Sequence, residues 1–100
     1  MFQFDKTRLD LAREFRATPW GEHSPDLQYL LSLMRRPGPE PYHVLITDRP
    51  GERWTLATMQ PGSKSPPRRT NMVFTDLRAA EWHVFRLRWA RLAGEELPFE

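Results

Sequence analysis

Residues Arg69 to Ala93, RTNMVFTDLRAAEWHVFRLRWARLA, decide how this chain folds. The segment opens with a short apolar strand, Met72-Val73-Phe74. Thr75 or Asp76 then offers a side-chain oxygen to the orphan N–H groups of a helix start. On a helical wheel Leu77, Ala80, Val84 and Leu87 form one apolar stripe. Trp82, Phe85 and Trp89 form a second on another side, with Arg86, Ala90 and His83 between the two. One stripe covers the chain's own sheet. The other needs a different cover, which either the N-terminal helices or another polypeptide supplies. Trp and Phe interspersed with Arg is the composition of interface centres, and fully burying such side chains contributes roughly 1.5–3 kcal/mol each before the costs of association.

Upstream, Tyr42 to Asp48 alternates, with Tyr42, Val44 and Ile46 on one face and His43, Leu45 and Thr47 on the other. Arg49-Pro50-Gly51-Glu52 is a turn signal, and Arg53 to Gln60 resumes the alternation, so a β-hairpin is expected. Within it Tyr42 and Trp54 are read either as a cross-strand stacking pair or as ordinary sheet packing, with Arg49 and Arg53 flanking the turn. Ser24, Pro25 and Asp26 make a strong helix start, and Leu27, Leu30, Leu31 and Met34 supply its apolar stripe. Arg35 and Arg36 fall in the last turn, and Pro37-Gly38-Pro39-Glu40-Pro41 ends the helix. Asp5 to Arg16 reads as a shorter helix with Leu11 and Phe15 spaced i, i+4, broken by Ala17-Thr18-Pro19-Trp20-Gly21. The expected fold is α+β: two N-terminal helices, a three-stranded antiparallel sheet made of a hairpin plus a third strand, and a long C-terminal helix, with the helices packed on the sheet. Residues 1–100 read as one domain, with an N-terminal arm and helix over 1–23 and a Pro-rich basic loop over 61–71.

One hundred residues with twelve aromatics, four of them Trp, argue against disorder. A chain of this size buries roughly two-thirds of its unfolded surface, leaving little to spare. The absence of cysteine excludes a disulfide framework, a thiolate zinc site and a thiol nucleophile, and fits a cytoplasmic location. Met1-Phe2-Gln3-Phe4-Asp5 begins no signal peptide, and no apolar run approaches membrane-spanning length. The net charge is +2, but Lys64, Arg68, Arg69, Arg78, Arg86, Arg88 and Arg91 oppose only Asp76 and Glu81 between Gln60 and Leu92, seven minus two or a local excess of five. A solvated face explains that excess, and so does an acidic partner or nucleic acid, which Lys64, Arg68 and Arg69 are placed to contact.

Little in the chain carries chemistry. His23, His43 and His83 lie in three separate elements without a metal-ligand spacing, and His23 reads as a capping or turn residue. No nucleophile elbow, Walker loop, dinucleotide fingerprint or HExxH motif is present. Glu95 and Glu96 sit in a polar tail where nothing desolvates them, so neither is set up as a general acid. The expectation is a chain with no catalytic or metal-binding residue of its own.

From Ser24 to Leu92 the sequence resembles the small, non-catalytic subunit of N,N-dimethylformamidase. The resemblance rests on Ser24-Pro25-Asp26-Leu27-Gln28 opening a helix, Arg35 or Arg36 near its end, a strand with Tyr42 and Ile46, and Leu56-Ala57-Thr58 closing a Trp-containing strand. Phe74-Thr75, Ala80 and Val84-Phe85-Arg86-Leu87-Arg88 follow in the same order. The chain departs from that family in a shorter N-terminal part and in Pro66-Pro67-Arg68-Arg69, which replaces a more acidic connector. The resemblance implies an accessory subunit that clasps a large amidohydrolase chain in a hetero-oligomer. It also implies that a mononuclear iron is held there by tyrosines and a glutamate of the large chain. Trp82, Phe85, Trp89, Arg86, Tyr42 and Trp54 are then the expected partner contacts. Two readings from other classes remain open: a small DNA-binding domain that uses a three-stranded sheet and basic loop, resembling those of phage-type integrases, and a free-standing homodimer joined through the aromatic stripe.

Overall fold

In a computed structural model that describes residues 4–36, 41–62 and 64–99, the chain runs α1 (Leu9–Ala17), α2 (Pro25–Arg35), β1 (Tyr42–Arg49), β2 (Arg53–Met59), β3 (Arg68–Phe74) and α3 (Leu77–Ala93). The strands form one antiparallel sheet in the order β1-β2-β3. This is the expected α+β set of elements. Contacts gather the chain into two compact units: one holds α1, α2 and α3 from Phe85 onward, the other the sheet and α3 as far as Val84.

In the helical unit, α1 begins at Leu9 and not at Asp5. The Asp5 carboxylate accepts both the Thr7 N–H at 2.9 Å and the Thr7 hydroxyl at 2.6 Å, which ties the first residues into a turn. Ser24 caps α2 as its position before Pro25 requires, accepting the Leu27 N–H at 3.2 Å. Glu14 of α1 locks this cap in place, accepting from both the Ser24 N–H and its hydroxyl at 2.7 Å. Arg8 adds an ion pair to Asp26 at 3.1 Å. At the far end of α2 the guanidinium of Arg91, from α3, donates to the Met34 carbonyl at 3.0 Å, filling one of the orphan acceptors of the last turn. Of the stretch expected to stop α2, Pro37, Gly38, Pro39 and Glu40 lie outside the described residues. The core of this unit comprises Leu11, Ala12, Phe15, Leu27, Leu30, Met34, Phe85, Trp89 and Leu97.

In the sheet unit, Glu52 N–H closes the hairpin onto the Arg49 carbonyl at 2.9 Å. Pro50 presets the first central position, and Gly51 takes φ +76° at the second, a conformation only glycine adopts without strain. The register between Thr47 and Arg49 slips by one residue, so Asp48 bulges out of the ladder. The bulge turns its carboxylate toward Thr55 of β2 and Arg69 of β3, both of which donate to it. β3 begins at Arg68, four positions before the expected apolar strand, so the 61–71 loop is shorter than the sequence suggests. Between Thr55↔Val73 and Ala57↔Arg69 the β3 side of the ladder holds two extra residues. Thr70 fills that irregularity: its hydroxyl donates to the Leu56 carbonyl at 2.8 Å and accepts the Met72 N–H at 3.2 Å. Asp76, not Thr75, caps α3, accepting the Arg78 N–H at 3.0 Å.

Candidate functional site

Each stripe of α3 has residues in both units, Leu87 of the first falling in the helical unit and Trp82 of the second in the sheet unit. Ala80 and Val84 are buried in the stretch that belongs to the sheet unit, and Phe85 and Trp89 in the stretch that belongs to the helical unit. Phe85 stacks on Phe15 of α1 with ring centroids 4.5 Å apart, and Trp89 takes the edge of Phe4 at 5.0 Å. With 2% and 1% of their surface exposed, both rings are used up in the chain's own core. For these two residues the N-terminal segments supply the second cover, and no surface is left for another polypeptide. Trp82 is half-buried.

Of the two readings of the hairpin pair, ordinary sheet packing is the one the register gives. Tyr42 stands opposite Met59, its hydroxyl 3.7 Å from the Met59 sulfur. Trp54 stands opposite Thr47 on one side and Phe74 on the other. Alternation puts the two rings at opposite ends of the ladder and on opposite faces, so they do not stack on each other. Trp54 is buried on the central strand with Leu56, and Phe74 beside it meets the His83 ring at 5.4 Å.

The basic residues also separate. Lys64 is exposed in the connector, whereas Arg68 and Arg69 are exposed side chains of β3. Arg69 is committed to Asp48. The Asp48 carboxyl is held below its ordinary range first by the Thr55 hydroxyl and then by the Arg69 guanidinium. His23 is the turn residue it was expected to be: its Nε2 lies 2.7 Å from the Thr18 carbonyl, so that nitrogen carries the proton and donates.

What remains accessible is a set of apolar side chains that pattern reading passes over. Trp20 is 52% exposed, Val73 44% and Met72 40%. Trp20 reads as part of a helix break and Met72-Val73 as part of a short apolar strand. Only the position of β3 at the edge of the sheet, and the turn that holds Gly21 at φ +103°, leaves these side chains open. Arg86 of α3 is half-buried with its Nε fully enclosed, and among the described residues it has no hydrogen-bond partner. Among the described residues no three His, Cys, Asp or Glu side chains converge as a metal site. No helix of the described residues is long and apolar enough to cross a membrane.

Against known proteins, the sequence profile of the N,N-dimethylformamidase alpha subunit family matches residues 5–97, taking in all six elements. No curated protein matches the chain.

Proposed function

Because the chain belongs to the N,N-dimethylformamidase alpha subunit family, we propose that it is the accessory, non-catalytic small subunit of a large, iron-dependent amidohydrolase chain of the N,N-dimethylformamidase type. The match along almost the whole chain carries this reading. One feature of the structure supports it: Trp20, Met72 and Val73 expose apolar surface that a partner would cover. The reading assigns iron and hydrolysis to the large chain.

Affinity purification of the tagged chain from its native cells tests the proposal, with mass spectrometry, iron analysis and an N,N-dimethylformamide hydrolysis assay on the eluate. The expected result is one large chain at stoichiometric yield, with iron and amidase activity that the small chain alone lacks. Elution of the chain by itself as a dimer sinks the proposal. So does nucleic acid that comes off as salt rises.

A further inference from the structure

β1 stands at one edge of the sheet and β3 at the other. Every second N–H and C=O of an edge strand points away from its neighbour, and natural sheets blunt such edges with charges, prolines or bulges. β3 carries these devices: Arg68 and Arg69 lie at its start, and two extra residues break its ladder after Arg69. β1 lacks them where it is regular. From Tyr42 to Thr47 it pairs without interruption with Met59 to Trp54, and that run holds no Asp, Glu, Lys, Arg or Pro. Among the described residues no strand other than β2 pairs with Val44 to Thr47. Val44, Leu45 and Ile46 point to alternate faces and are only half-buried, although the β2 residues opposite them, Ala57, Leu56 and Thr55, are buried. Apolar surface stays open on both faces of a strand whose outer backbone can extend the ladder.

From this unguarded edge we propose that β1 pairs with β1 of a second copy of the chain, antiparallel about a two-fold axis at Leu45, so that the two sheets become one. The outer N–H and C=O groups call for an extended backbone at strand spacing, and the side chains select which one. In this register Leu45 meets its own counterpart, Val44 meets Ile46 and His43 meets Thr47, apolar on apolar and polar on polar. An axis at Val44 would instead set His43 against Leu45 and Tyr42 against Ile46. A two-fold contact places the same surface on both sides, and because the run carries no charged residue it opposes no like charges. The exposed Met72 and Val73 belong to the opposite edge strand and take no part in the contact. The inference goes beyond the accessory-subunit reading and does not rest on it, since two copies joined at β1 can each hold a large chain.

Sedimentation velocity of the purified full chain, from about 1 μM to 1 mM, is expected to show a monomer passing into a dimer, with dissociation in roughly the micromolar range because one short ladder is a small interface. Leu45→Lys sets two ammonium groups against each other on the axis and Leu45→Glu two carboxylates, so each variant should stay monomeric while still melting cooperatively. An equimolar mixture of the two should dimerise again, since Lys then faces Glu. Hydrogen exchange on wild type locates the contact without any substitution: amide protection between Val44 and Thr47 should rise at least about tenfold from dilute to concentrated protein. A wild-type chain that stays monomeric throughout overturns the inference. So does a dimer whose added protection falls on β3 or on a helix, or folded Leu45 variants that dimerise as wild type does. The accessory-subunit reading is tested separately, by whether a large chain accompanies the small one from its native cells.

Discussion

Phe15 of α1 and Phe85 of α3 lie face to face with their planes inclined by 14°, although they sit near opposite ends of the sequence. This stack closes the helical unit by joining its first helix to its last, and it decides which side of α3 is available to anything else.

Phe85→Ala is therefore expected to cost about 3–5 kcal/mol in urea unfolding, and Phe15→Ala a similar amount, since each ring is nearly fully buried. The double variant should cost less than the sum, with a coupling of about 0.5–1.5 kcal/mol from the ring pair. Strict additivity would show that the rings share no direct interaction.

Trp89 and Trp20 should respond oppositely to the same change. Trp89→Glu buries a carboxylate where 1% of the side chain meets solvent and should leave no cooperative melting transition. Trp20→Glu, at a position 52% exposed, should shift stability by no more than about 0.5 kcal/mol while weakening any partner that covers this side chain. Thermal denaturation followed by circular dichroism separates the two. A folded Trp89→Glu chain would contradict the core described above.

Ser24→Ala removes the α2 cap and should lower stability by about 0.5–2 kcal/mol. Glu14→Gln tests the lock on that cap. The Ser24 N–H and hydroxyl both donate to the Glu14 carboxylate, and the amide cannot accept them equally. The two changes should be non-additive in chemical denaturation, because they remove parts of one network.

Asp48 makes the sheet sensitive to acid. Its folded pKa is depressed, so its contribution is present above the unfolded value of 3.8 and lost as pH falls through the lower folded value. Wild type should exceed Asp48→Asn in urea midpoint at pH 7, and the gap should narrow below about pH 4. A gap that persists undiminished to pH 2 would mean that the carboxylate charge plays no part.

Much of the fold is legible from short-range chemistry. Ser24-Pro25 starts a helix because a hydroxyl acceptor and a preset φ suit those positions in any context. Pro50-Gly51 makes a turn because only that order matches its dihedral angles. The site was far less legible. The aromatic stripe of α3 carries the composition of an interface, yet nothing along α3 says that Phe15 and Phe4 will cover it.

The sequence by itself determined the elements, their order and most of their ends, and its ordered motifs pointed to the family that the profile match identifies. Tertiary structure alone decided which apolar side chains are spent and which are offered. Trp89 is buried and Trp20 exposed, although both belong to one residue type, because burial depends on what another part of the chain brings alongside. It also decided register. Arg68 and Arg69, read from the sequence as part of a loop, pair with Thr58 and Ala57 and so belong to β3. Alternation specifies two faces, but only pairing with β2 fixes where a ladder begins and which residues stand opposite each other.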